Sequence, residues 1–344
     1  MSTTNHKAVV MFSGGLDSVI AVHLLKSQGL DVTALHFVLP FYSGLGQTPR
    51  EAEEHARALG VPLRVEEEGA EFMEMIRDPK FGYGKGANPC IDCRIHRLGK
   101  AAKIAEEEGA VCLATGEVAG QRPMSQKMPT LHRIEKAAGL RGKLLRPLSA
   151  KLLPPTDVEL AGIVDREKLL GISGRSRTVQ LAYAKQYGLI HSSPAGGCLL
   201  TNVETGARFD DLSGHNPQFS LLDFKLLAYG RHFRTSPDYR VVISRDAEET
   251  GILDKLYSQA SALPTPAPTV IKFHLRDALG PVALGIGVPG EADLQFSAAA
   301  VVRFSRLRDA ERAAVVITGG GLERVLEAET AEESALNKYR VCHR

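Results

Sequence analysis

The chain has 344 residues, is 44% hydrophobic and 24% charged, and carries a formal net charge of +2. That size and composition predict two domains of ordinary globular character. They exclude a membrane helix, which needs ~18 consecutive apolar residues, and a secretory segment, so the expected location is the cytoplasm. Residues 1–200 hold 25 Lys/Arg against 21 Asp/Glu and residues 201–344 hold 17 against 19. Contact with a polyanion must therefore come from local patches.

Residues 8–12 (AVVMF) are a short apolar run that predicts a strand buried on both faces. Residues 17–26 have helical apolar spacing, an acid in the first turn and Lys26 near the end. Ser13-Gly14-Gly15 joins them. A strand, a glycine turn and a helix start form an anion site, because backbone N–H groups converge there and no Cβ blocks approach. Ser13 and Ser18 add hydroxyls. The spacing fits neither a Walker loop nor a dinucleotide fingerprint.

Residues 31–38 (DVTALHFV) read as a second parallel strand, whose carboxyl end brings His36 and Phe37 beside the glycine turn, in position for an adenosine group. Phe37 as plain core is the other reading. A helix follows over 49–59, a short strand over 63–65, a helix over about 95–108 and a buried strand over 110–115, with Gly116 and Glu117 opening its exit loop. This alternation predicts a doubly wound, mostly parallel α/β sheet of Rossmann-like type. Residues 121–151 contain eight Lys/Arg (Arg122, Lys127, Arg133, Lys136, Arg141, Lys143, Arg146, Lys151) and one acid, Glu135. That is a phosphate-backbone surface or a charged loop. Helices are expected over 156–170 and 178–187.

Beyond about residue 204 the pattern shifts to a smaller α+β domain. Strands are expected over 239–244, 269–274, 282–287, 298–304 and 313–318, with a helix over 248–260. The expected boundaries are 1–203 and 204–344.

Cys90 and Cys93 form a C-x-x-C at a loop-to-helix junction, and Cys198 follows Gly196-Gly197 on a glycine turn. Flanking Lys/Arg and helix N–H groups favour thiolate. Cys112 lies in an apolar strand and reads as core; Cys342 lies near the chain end. Three thiols permit a 4Fe-4S cluster with one open iron, a persulfide relay, or a structural zinc completed by His191.

With SGGLDS at 13–18, the Cys90/Cys93 pair after Asn88-Pro89, and Gly196-Gly197-Cys198 in hand, the chain resembles the tRNA thiolases of the PP-loop ATP pyrophosphatase superfamily. The cysteine positions are similar to those of the tRNA 2-thiouridylases. Residues 114–121 (ATGEVAGQ) with Ser125-Gln126 are similar to the 4-thiouridine synthase catalytic domain. Residues 233–245 faintly resemble the RNA-binding domain of NFACT-type proteins.

The resemblance implies an adenine nucleotide α-hydrolase-like fold. It places ATP and Mg²⁺ on Ser13, Gly14, Gly15, Leu16, Asp17 and Ser18, with His36, Phe37 and Gly116 around the nucleotide. It implies that a nucleobase carbonyl oxygen of tRNA is adenylated and then replaced by sulfur held at Cys90, Cys93 and Cys198. Asp17, Cys90 and Cys198 are the expected catalytic residues. The implied partners are tRNA and a sulfur donor, either sulfide or a persulfide carrier protein; a homodimer is a further expectation. The alternatives are a PP-loop sulfur transferase or ligase acting on a small molecule, and a persulfide-relay enzyme without a cluster.

Overall fold

The structure is a computed structural model describing residues 6–42, 50–192, 198–261 and 269–342. Gly196 and Gly197 of the expected glycine turn, residues 43–49 and residues 262–268 lie outside the described residues. The chain forms two compact units: Met1–Gly84 with Asn88–Gly197, and Lys85–Ala87 with Cys198–Arg344.

The first unit runs β1 (Lys7–Met11), α1 (Leu16–Lys26), β2 (Asp31–Val38), α2 (Arg50–Leu59), β3 (Leu63–Glu67), α3 (Ala70–Arg77), α4 (Cys90–Glu107), β4 (Cys112–Thr115), α5 (Met128–Ala137), β5 (Leu144–Leu145), α6 (Asp157–Leu160) and α7 (Thr178–Gln186). All pairings in its five-stranded sheet are parallel, in the order β3-β2-β1-β4-β5. The order reverses between β1 and β4, so the loops leaving those two strands flank a topological switch point.

Alternation along the strands separates two cores. Ala8, Val10, Val32, Ala34, Cys112 and Ala114 pack with α1 on one face. Val9, Met11, Leu35, Phe37 and Leu113 pack with Leu98, Ala101 and Ile104 of α4 on the other. Burying both faces is why these strands read as unbroken apolar runs.

The expected helix over 156–170 is not formed. The sequence folds instead into the single turn α6 and a short 3-10 turn at Arg166–Lys168. Thr156 and Glu159 form a reciprocal capping box at the start of α6, and Gly162 follows its end. The expected start of α4 is also corrected: the helix begins at Cys90, directly after Pro89, rather than near residue 95.

The second unit contains α8 (Val203–His215), α9 (Leu221–Leu226), β6 (Arg231–Ser236), β7 (Tyr239–Ile243), α10 (Ala247–Ser261), β8 (Val270–Leu275), β9 (Ala283–Gly287), α11 (Glu291–Arg303), β10 (Ala313–Gly319), β11 (Leu322–Ala328) and α12 (Glu333–Tyr339). Its six strands are antiparallel in the order β11-β10-β8-β9-β7-β6. Phe233, Val241, Ile271, Phe273 and Val315 form a core with Leu294, Ala298 and Val301 of α11.

Residues 298–304, expected as a strand, lie mostly in helix α11. A continuous apolar run does not distinguish a buried strand from a buried helix. Three consecutive alanines at 298–300, the best helix formers, decide it here. The Gly290 N–H donates to Asp293 Oδ2 at 2.8 Å and fixes the helix start.

Candidate active site

The loop after β1 turns through Gly14, whose φ is +76°. A Cβ there would lie 3.2 Å from both Ala52 Cα and His55 Nδ1, so the turn needs glycine for its conformation and for space. Buried His55 donates from Nδ1 to the Gly14 carbonyl at 2.8 Å. Ser18 Oγ donates to the Gly15 carbonyl at 2.8 Å and accepts from the Ser13 N–H at 3.3 Å. The Ser18 and Val19 N–H groups donate to the Gly15 carbonyl at 3.0 and 3.1 Å, which leaves the Leu16 and Asp17 N–H groups at the start of α1 for a ligand at the carboxyl edge of the sheet. Leu16 is buried in the core, so only its backbone serves the loop.

Asp17 Oδ2 accepts from Gln121 Nε2 at 3.1 Å, while Oδ1 is buried with no hydrogen-bond partner among the described residues. A carboxylate oxygen left over beside a phosphate-type loop suits a hard divalent cation such as Mg²⁺.

Gly116 closes the loop from the β4 side. A Cβ on it would lie 2.6 Å from Ser18 N and 2.7 Å from the Asp17 carbonyl carbon. Next in sequence, Glu117 is 2% exposed. It faces Arg94 Nε at 3.2 Å and Arg146 Nε at 2.9 Å. Arg146 is 1% exposed and also pairs with Glu135. Burial alone pushes the Glu117 carboxyl up; the Arg94 and Arg146 guanidiniums and the hydrogen bonds from Arg146 and Thr115 outweigh it and hold the carboxyl below its usual range.

Arg146 was one of the eight cations expected on a phosphate-binding surface; it is instead the buried counter-ion of Glu117. Arg122, Lys127, Arg133, Lys136, Arg141 and Lys143 are exposed. Lys151 donates to the Glu167 carbonyl at 2.8 Å.

Because α4 connects parallel strands it runs against them, so its first turn also lies at the carboxyl edge. Cys90 and Cys93, at i and i+3, share one face of that turn, both partly buried. Arg94 reaches from this turn to Glu117. Burial lowers the Arg94 pKa, but Glu117, Cys93 and Cys90 raise it further, so the guanidinium stays charged. Arg97 hydrogen-bonds Cys93. Two cations beside the Cys93 sulfur form the environment in which thiol chemistry runs through the thiolate. Cys112 differs: burial pushes its thiol up to about 12, in keeping with a core role.

His36 and Phe37 diverge. His36 Nδ1 donates to the Phe12 carbonyl at 2.9 Å at the edge of the loop. Its pKa is lowered by burial and by Arg97, against a raising bond to Phe12. Phe37 points to the opposite face, is 4% exposed, and lies under the Arg97 guanidinium at 5.0 Å.

Cys198 belongs to the second unit, where its carbonyl accepts from Thr201 N at 2.8 Å. In the same unit the Ala87 N–H donates to the Leu200 carbonyl at 3.0 Å, three residues before Cys90 and two after Cys198. Among the described residues no three His, Cys, Asp or Glu side chains are gathered to hold a metal ion.

Sequence reasoning missed Glu117, Arg94 and Gln121 as site residues. Arg94 follows the C-x-x-C directly and Glu117 follows Gly116 directly, and these adjacencies were the available signal.

A glycine turn at the switch point of a parallel sheet, with an acid in the first helical turn, is a cradle of the kind that takes an anion. Residues 3–151 match the family model described as thiamine biosynthesis protein (ThiI), and residues 230–340 match the one described as NFACT protein RNA binding domain. The resemblances stated from the motifs therefore stand: the first unit is similar to the ThiI-type family over residues 3–151 and the second to the NFACT RNA-binding family over residues 230–340.

The tRNA-specific 2-thiouridylase of Bradyrhizobium sp. (strain ORS 278) is 34% identical over 129 residues, 34% of this chain and 32% of that protein. A probable tRNA sulfurtransferase of Methanothermobacter thermautotrophicus is 31% identical over 155 residues, 42% of this chain and 37% of that protein. The chain spans about a third of the length of these curated relatives. Among solved structures, a 4-thiouridine synthetase–RNA complex with bound ATP aligns at TM-score 0.34 and 25% identity, over 53% of this chain and 50% of that one. The U34-tRNA thiolase NcsA from Methanococcus maripaludis, with its 4Fe-4S cluster, aligns at TM-score 0.33 and 16% identity, over 65% of this chain and 70% of that one.

Proposed function

We propose that this chain is an ATP-dependent tRNA sulfurtransferase. The observation that carries the reading is that Arg94, which feels the charges of Cys90 and Cys93, pairs with Glu117, and that adjacent Gly116 leaves no room for a Cβ against Asp17 and Ser18. It ties a thiol pair to a nucleotide cradle at one edge of one sheet. The curated relatives named for tRNA thiolation and the NFACT-type domain favour tRNA over a small molecule as the acceptor.

In this reading ATP lies with its phosphates on the Gly14, Leu16 and Asp17 N–H groups of the 13–18 loop, and Asp17 Oδ1 holds Mg²⁺. A nucleobase carbonyl oxygen attacks the α-phosphorus, the bond to the β-phosphate oxygen breaks, and pyrophosphate leaves. The carbonyl oxygen is then part of an AMP leaving group, so a sulfur nucleophile at the sulfide oxidation level adds to the activated carbon and expels AMP. With sulfide as donor no external oxidant or reductant is required; a persulfide relay would leave a disulfide that a thiol reductant must reopen. The helix N-terminus and Mg²⁺ offset the charge that develops on the phosphoryl group.

Cys90, Cys93 and Cys198 are the residues that would hold a 4Fe-4S cluster, whose open iron would carry the sulfide. Thiolates suit such a cluster, and Cys90 and Cys93 offer two. No group of three is gathered among the described residues, so no step is routed through it. Cys93 beside Arg97 also suits a persulfide relay. The protein is expected to act in the cytoplasm.

The test is mass spectrometry of tRNA nucleosides from cells with and without the gene, complemented by wild type or Asp17→Asn. One thiolated nucleoside should disappear on deletion and return only with wild type. Unchanged nucleosides would overturn the reading. Iron and acid-labile sulfide in anaerobically purified protein decide between cluster and relay.

A further inference from the structure

We propose that an arginine-lined cavity in the second unit binds a terminal phosphate monoester, supplied by the 5′ end of the RNA. The source rests on the tRNA reading above; the site itself rests on the following geometry.

The cavity has a volume of about 300 Å³ and is lined by Arg208, Arg231, Arg245 and Arg340, with Glu204 as its only acid. Gly230 and His232 are buried at its wall. Two of the guanidiniums are already spoken for. Arg208 donates to the Leu227 and Gly230 carbonyls at 2.9 and 3.0 Å and faces Glu204 at 3.5 Å. Arg245 donates to Glu249 at 2.9 Å.

The other two have no carboxylate partner among the described residues. Arg231 donates to the Ser244 carbonyl at 2.9 Å and lies 4.4 Å above the Phe304 ring. Arg340 lies 6.0 Å above the Phe233 ring. Both are partly buried and keep donors of the guanidinium fork unused, the geometry that grips phosphate bidentately. Burial, Arg245 and Arg340 lower the Arg231 pKa, and they outweigh Glu249 and Asp246, which raise it.

Arg231 and Arg340, neither of them ion-paired to a carboxylate among the described residues, supply two positive charges that match a phosphate monoester, which carries about −1.5 to −2 at pH 7. An internal phosphodiester carries one negative charge. The volume is at the low end for ligand pockets, enough for one nucleotide end rather than a length of backbone. Arg231, Arg245 and Arg340 fall within the stretch that matches the RNA-binding family.

The experiment measures binding of the full chain to one tRNA transcript prepared with a 5′-monophosphate or a 5′-hydroxyl. The phosphorylated form should bind about tenfold more tightly, the scale of one charge-assisted contact. Arg231→Gln and Arg340→Gln should each abolish the difference while leaving 5′-hydroxyl RNA unchanged. Glu204→Gln, which removes the lining acid, should widen it and guards against a folding artefact. Equal binding of both RNAs overturns the proposal and leaves the tRNA reading standing; absence of binding to either overturns both. AMP and inorganic phosphate serve as competitors. Arg231-dependent AMP binding without a 5′-phosphate preference would assign the cavity to a free nucleotide and overturn the RNA source.

Discussion

Replacing Glu117 by Gln removes one negative charge from between two guanidiniums and changes almost no volume. Glu117 and Arg146 are 2% and 1% exposed, so solvent offers little compensation. Breaking a buried pair by removing one partner costs about 3–5 kcal/mol. Gln keeps an acceptor for Arg146, which places the loss near ~3 kcal/mol. For a unit of this size that is a fall in Tm of roughly 6–12 °C.

The pH dependence follows from the same contacts. The folded pKa of Glu117 is depressed. Its contribution is therefore complete above the ordinary carboxylate value and is lost as pH falls through the folded value. Urea unfolding of wild type and Glu117→Gln at pH 7 and at about pH 3 would show a gap that narrows in acid. A gap below about 1 kcal/mol at pH 7, or one that widens in acid, would refute the assignment of an ionised, doubly paired Glu117.

Three further outcomes follow. Gly116→Ala puts a Cβ 2.6 Å from Ser18 N, about 0.8 Å inside the 3.4 Å of ordinary contact. Since displacements near 1 Å cost on the order of 10² in rate, ATP-dependent pyrophosphate release should fall that far, and wild-type release would contradict the packing. Asp17→Asn keeps the Gln121 contact but weakens cation binding; release should drop by about 10² or more with little change in Tm, and a large fall in Tm would recast Asp17 as structural. Arg97→Ala should move the pH midpoint of Cys93 alkylation upward, as read by iodoacetamide rates in a Cys90→Ser background. An unmoved midpoint would mean that Arg97 does not act on the thiolate.

The glycine turn at 13–18 was legible because its information is local: six consecutive residues fix the strand end, the turn and the helix start. The C-x-x-C was legible as a motif but not in its placement. Starting α4 at Cys90 puts both sulfurs in its first turn, and that start depends on Pro89 and on packing that spacing does not encode. Local pattern failed at 298–304, where an apolar run serves a helix as well as a strand.

It failed differently at Arg146. A row of cations reads as surface, yet one of them is drawn inside by Glu117, twenty-nine residues earlier in the chain. Such a pairing depends on the fold being complete. Phe37 and His36 show the limit of one-residue resolution in a strand: neighbours in sequence occupy opposite faces, and only His36 lies beside the loop.

The tripeptide Lys85–Ala87 has a consequence for biosynthesis. It precedes Cys90 in the chain, yet its backbone partner is Leu200, and the bare carbons of Gly86 and Gly206 nestle where a methyl on Gly206 would lie 3.2 Å from the facing glycine. As the nascent polypeptide leaves the ribosome, residues 85–87 gain their backbone partner only once the stretch after Cys198 has been made. A chain cut before that point would leave the Ala87 N–H without its Leu200 acceptor and Gly86 without the close approach of Gly206.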